Sequence, residues 1–184
     1  MGARRLTHSA GTRRSPHREA PSEKHVFFAK EDLALDLGRE YTEGLARTVR
    51  GRPPGRSALD ALREAFLASV ARHDPVIGFC GPPFARMIAG SPALLARLRE
   101  FHGDRERTLA AALAEEAGTT GTSSPDDFRP RAAAALIAAA HRALFDETFR
   151  RTLAGQSDAT IAAAVTDAAH HAFALLTPAL GPRP

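Results

Sequence analysis

The chain has 184 residues, with 25 Lys plus Arg against 21 Asp plus Glu and a formal net charge of +4. Residues 1–30 carry seven basic and two acidic side chains, a net of +5, and the other 154 residues sum to −1. The pI near 10.1 therefore describes a short arm and excludes a globule coated in nucleic-acid-binding charge.

Residues 1–24 are rich in Gly, Pro, Ser, Thr, His and Arg with few apolar side chains, so they cannot bury enough surface to offset their ordering entropy. The expected division is a disordered basic arm over 1–25 and one all-α, helical-bundle domain over 26–184. No segment alternates as a strand does, and Ile and Val are scarce.

The spacing of Leu33, Leu37, Tyr41 and Leu45 predicts a first helix from Lys30 to Arg50, ended by the Pro53-Pro54 loop between Gly51 and Gly55. Ser57 and Asp60 predict a capped start for a second helix, which runs to Arg72 and buries Leu59, Leu62, Phe66 and Val70. Residues 76–83 read as a broken helix or loop, followed by a brief helix over Phe84–Ala89. Ser91-Pro92 starts a long helix to Ala117, where Gly118 is expected to supply a left-handed stop. Two alanine-dense helices close the chain, Asp127–Ala154 and Ser157–Leu176, the last ended by Pro178. Their small side chains suit close packing, although alanine is also simply a good helix former.

Residues 27–35 read Phe-Phe-Ala-Lys-Glu-Asp-Leu-Ala-Leu, which resembles the Phe-x-x-Lys-Glu-x-Leu hinge of TetR-type transcriptional regulators. The Ala58-Leu59-Asp60-Ala61-Leu62-Arg63 segment and the Pro92–Leu98 segment extend the likeness, which covers about residues 25–180. The resemblance implies a C-terminal regulatory domain of about six helices that binds a small apolar effector and forms a homodimer through its last two helices. It implies DNA contact at Lys30, which in the family meets a phosphate at the start of the helix after the hinge. The family's three-helix DNA-reading head has no counterpart here: Lys24 and Ala29 stand where a tyrosine and a small polar cap are usual, and only 24 residues of arm precede the hinge region. A shifted reading frame, a mis-called start and a head-less homologue each account for that arm. A dimerising module with no DNA-binding activity is the alternative function.

Candidates to line an effector pocket in the bundle are Tyr41, Phe66, Phe79, Cys80, Met87, Phe101 and Phe145, with His102 and His141 as polar handles. Each aromatic residue either lines that pocket or fills the core. Phe79-Cys80-Gly81-Pro82-Pro83 reads as a deformable wall, with Cys80 either a redox sensor or a buried inert thiol. His170 and His171 are adjacent and point about 100° apart on a helix, so they do not clamp one metal, and one of them is expected to face the bundle or a dimer partner. His102, Asp104 and Glu106 read as a solvated face. No paired carboxylates, nucleophile elbow, phosphate loop or triad appears, so neither an enzyme nor a cofactor is expected. Cys80 is the only cysteine, which excludes an internal disulfide framework, and no uncharged apolar run of about 20 residues marks a span or signal. The expectation is a cytoplasmic protein with no membrane partner.

Overall fold

The computed structural model describes residues 38–119 and 127–180, and these residues are all-helical with no strand. The hinge motif, Lys30 and the basic arm lie outside them, as does the expected boundary at residue 25.

Helix α1 occupies residues 38–50 and turns Tyr41, Leu45, Ala46 and Val49 inward. Its C-terminal carbonyls need partners once the helix stops. Arg52 supplies one, donating from Nη1 to the Val49 carbonyl at 2.5 Å and from Nε to the Arg56 carbonyl at 2.8 Å. The Pro/Gly loop is thereby held by one guanidinium.

Helix α2, Ala58–Ala71, buries the four residues expected of it, Leu59, Leu62, Phe66 and Val70. Ser57 caps it, accepting from the Asp60 N–H at 3.0 Å. The acidic partner acts in its own way, because the Ser57 hydroxyl donates to the Asp60 carboxylate at 2.7 Å. His73, at φ 52°, ends the helix, and Asp74 caps a single 3-10 turn over Pro75–Ile77.

Helix α3, Pro82–Ala89, starts two residues earlier than expected. Pro82 and Pro83 occupy its first turn, where a missing N–H costs nothing. Helix α4, Pro92–Thr119, runs on through Gly118, which is not left-handed as expected. A glycine inside a helix costs about 1 kcal/mol and does not stop it alone.

Helix α5, Arg129–Leu153, is closed by Gly155 at φ 72°. Helix α6, Asp158–Leu180, continues past Pro178, against the expectation that this proline ends it. The acceptor that Pro178 leaves without a helical donor is the carbonyl of Ala174, an exposed residue.

Helix α5 is the centre of the packing, against α4 on one side and α6 on the other, while α2 packs on α6 and α3 on both α4 and α5. The core comprises Leu62, Leu109, Ile161, Val165 and Phe173 with their neighbours, each 0–1% exposed. Ala134 and Ala169, both fully buried, belong to that core. Other alanines of the two stripes, Ala139, Ala163 and Ala174 among them, face outward.

Candidate functional site

Helix α4 brings a polar stripe into the bundle. Phe101, Arg105, Leu109 and Ala112 fall at helical spacing on one face, so Arg105 occupies a core position between apolar neighbours. Only 6% of it is exposed. Its guanidinium carbon lies 4.3 Å from the centroid of the Tyr41 ring, a cation–π contact. Among the described residues no carboxylate lies within ion-pair distance of Arg105, and its buried Nε has no hydrogen-bond partner.

Tyr41 reaches the same place from α1. Its hydroxyl lies 2.5 Å from Nδ1 of His102. Burial raises the Tyr41 phenol above its ordinary value, with the Arg105 charge and a hydrogen bond to Arg105 partly opposing. His102 is lowered to about 4, first by burial and then by the cations of Arg105 and Arg142, so its ring is neutral and its tautomer sets which partner donates. A second link between the helices lies beside it, where Thr108 Oγ1 donates to the Thr42 carbonyl at 2.7 Å.

From α5 come His141 and, one turn on, Phe145. The Phe145 ring meets Tyr41 and His102 edge-on, each with centroids 5.7 Å apart, and stacks on Phe149 at 5.8 Å. His141, 3% exposed, meets Phe66 of α2 and Phe173 of α6 edge-on at 5.4 and 5.6 Å. Neither of its ring nitrogens has a hydrogen-bond partner. Burial, helped by the Arg105 charge, holds its pKa well below the ordinary value, so His141 is neutral.

Five of the nine expected ligand-site residues thus fall in two ring clusters one turn apart along α5, Phe66 and His141 with Phe173 in one, and Tyr41, His102 and Phe145 in the other. Phe101 borders the second. That ring is half-buried beneath Arg97 and fills the space beside Gly38, where an added Cβ would stand 2.5 Å from it.

The other three sit elsewhere. Phe79 is buried in the core with its ring 5.2 Å from His73. Cys80 is half-buried, and burial pushes its thiol up, which favours the inert reading over the sensor. Met87 is 44% exposed on α3.

Sequence reasoning missed Arg105 and Phe173. The signal for Arg105 was available, since an arginine four residues from Phe101 and from Leu109 lies on the apolar stripe. His170 and His171 are both exposed, so neither faces the bundle, and Nδ1 of His171 lies 2.8 Å from the Asp167 carbonyl.

Two surfaces frame this centre. A cleft between the α1–α2 loop and α2 is lined by Arg52, Arg56, Arg63, Asp60 and Glu116, and its cations pair with carboxylates: Arg52 with Glu116, Arg56 with Glu64, Arg63 with Asp60. Helix α6 is long and apolar enough to cross a membrane by length and composition, yet only 28% of its most apolar stretch is buried in the bundle. Leu175 on that helix is 81% exposed and Leu136 on α5 is 46% exposed.

Over 130 residues the chain is 29% identical to the HTH-type transcriptional regulator TcmR of Streptomyces glaucescens. The match takes in 68% of this chain and 56% of that regulator, so the chain spans little more than half of its relative's length. No family model matches the chain, and no solved structure matches it.

Proposed function

We propose that the described bundle is the effector-binding and dimerisation domain of a TetR-type transcriptional regulator. The hinge resemblance at residues 27–35 and the likeness to TcmR support the family reading. The observation that carries the effector site is the Tyr41–His102 contact. It joins the helix that follows the hinge to a bundle centre where Arg105 and His141 keep unused hydrogen-bonding capacity.

A ligand seated there touches α1 directly and biases its tilt, which is the motion a regulator needs at the end nearest DNA. Such a ligand shifts the equilibrium only by binding one tilt better than the other.

The exposed apolar face of α6 is the dimer surface in this reading, with α5 and α6 of one protomer packing on the same helices of its partner as a four-helix interface. Light scattering of the full chain at tens of micromolar is expected to give twice 19.6 kDa. Leu175→Glu places a charge in that face and is expected to give the monomer. A monomer for the unsubstituted chain overturns the dimeric regulator.

A further inference from the structure

We propose that α6 pairs antiparallel with α6 of a second copy of this chain in a single register, selected by Asp167 of each protomer meeting the partner's His171. This rests on the reading of the α6 face as a dimer surface and adds the direction, the register and the two side chains that select them.

Spacing defines the face. At about 3.6 residues per turn, Thr160, Ala164, Asp167, His171, Ala174 and Pro178 lie opposite the side chains that α6 turns into the bundle. Ala163 and the 81% exposed Leu175 flank them. Asp167 and His171 are exposed and are the only ionisable groups of that stripe.

The residue types are self-complementary about the helix midpoint. A two-fold axis across antiparallel helices sets positions equidistant from the centre against each other. About residue 169, the midpoint of Asp158–Leu180, Thr160 meets the partner's Pro178, Ala164 the partner's Ala174 and Ala163 the partner's Leu175. In the same alignment Asp167 meets the partner's His171, acid against base. A slip of one turn sets Asp167 against the partner's Asp167 in one direction, or His171 against the partner's His171 in the other. Parallel pairing does both. Such like-with-like contacts penalise every alternative.

The two side chains are free to make the contact. Nδ1 of His171 lies 2.8 Å from the Asp167 carbonyl oxygen, which only accepts, so Nδ1 carries its hydrogen and Nε2 is left over. Among the described residues neither Nε2 nor the Asp167 carboxylate has a partner. In the dimer Nε2 donates to the carboxylate, and the ring, with a hydrogen on both nitrogens, supplies the opposite charge. A polar pair within an apolar contact is an attested selector of register. The same two groups, at the middle of a helix long enough to cross a membrane, disfavour a bilayer as the occupant.

Sedimentation equilibrium of the full chain reads the dimer dissociation constant. Asp167→Lys opposes two bases at both symmetry-related contacts, and His171→Asp opposes two acids. Each is expected to raise the constant about tenfold or more. The double variant Asp167→Lys/His171→Asp reverses both signs, remakes both pairs and is expected to return to within about threefold of the unsubstituted chain. It also controls for folding, since a chain that has lost its fold does not regain the dimer.

A double variant no tighter than the single ones overturns the register, because parallel or slipped pairing gains nothing from the reversal. Single variants with the unsubstituted constant place the pair outside the interface and overturn the proposal while the dimer stands. A monomeric unsubstituted chain, free or bound to phosphatidylcholine vesicles, removes the dimer reading on which the proposal rests.

Discussion

Helix α5 carries buried polar side chains at two places, and they are handled in opposite ways. Near its C-terminus Thr148 is wholly buried and its hydroxyl donates to the Leu144 carbonyl at 2.8 Å. One turn later Thr152, 3% exposed, donates to the Gly78 carbonyl at 3.1 Å and so fastens the loop after the 3-10 turn onto the helix. Towards the middle, His141 is just as buried and uses neither nitrogen, while Arg105 faces it across the α4–α5 contact with Nε idle. The threonine corner spends all its polar capacity inside the protein. The histidine–arginine centre holds its capacity in reserve, at a cost in stability. That contrast separates a region whose buried polar groups are all satisfied from one where they are not.

The sharpest way to break the closed corner is at Gly78. Its φ of 109° suits glycine, and an added Cβ would sit 3.0 Å from the Thr148 side chain and 3.2 Å from the Phe149 backbone nitrogen. The backbone nitrogen cannot move aside as a flexible side chain does. Gly78→Ala is expected to destabilise by about 2–4 kcal/mol, combining backbone strain with overpacking, as read from the urea midpoint. An unchanged midpoint means the loop is not locked against α5.

Next comes the hydroxyl itself. Thr152→Val keeps the shape and leaves the Gly78 carbonyl without its donor, an unsatisfied acceptor in the interior. The expected loss is about 1–3 kcal/mol in urea unfolding. The same kind of change at His141 is expected to behave differently, because no partner there is left behind.

The closed corner was partly legible in the sequence and the open centre mostly was not. Asp74-Pro75 and the glycines at 78 and 81 announce a break, and the apolar period fixes α2 and its four buried residues without any knowledge of neighbours. Periodicity identifies inward faces, so Tyr41, Phe66, His102, His141 and Phe145 were within reach as candidates. It says nothing of which inward face meets which, and Phe79 and Met87 pass the same test although one packs on His73 and the other is exposed. Arg105 escaped because charge suggests solvent, and only tertiary packing overrules that. Helix ends failed where glycine and proline were read as absolute stops. Gly118 lies inside α4 and Pro178 inside α6, since each penalty is local and a long helix outweighs it.

Acid should act on the open centre. The native fold keeps His141 neutral by burial, and the unfolded chain protonates it at the ordinary value near 6.5. The unfolded state therefore binds more protons as the pH falls below 6.5, and the native state loses stability in that direction, by at most about 1.4 kcal/mol per pH unit for this one group. Above that pH the contribution is constant. Comparing urea midpoints at several pH values, His141→Leu is expected to show a shallower fall on acidification than the unsubstituted chain. Parallel curves would mean that His141 is protonated, or exposed, in the folded state.

The smallest effect expected is the most informative about the comparison. Arg105→Met removes a charge and five donors from the interior and keeps most of the side-chain volume. At a satisfied site such a change is severe, because the partner is stranded. At Arg105 no carboxylate is stranded, and the loss of the cation–π contact with Tyr41, about 0.5–2 kcal/mol, is set against relief of an uncompensated buried charge. The urea midpoint is therefore expected to correspond to a stability within about 1 kcal/mol of the unsubstituted chain, or above it. A loss as large as that of Thr152→Val would mean that Arg105 holds the fold together. The centre would then be a second closed corner, and its idle nitrogens would have no ligand to explain them. A neutral or stabilising result leaves Arg105 as a residue the fold does not need, in the place where an effector would need it.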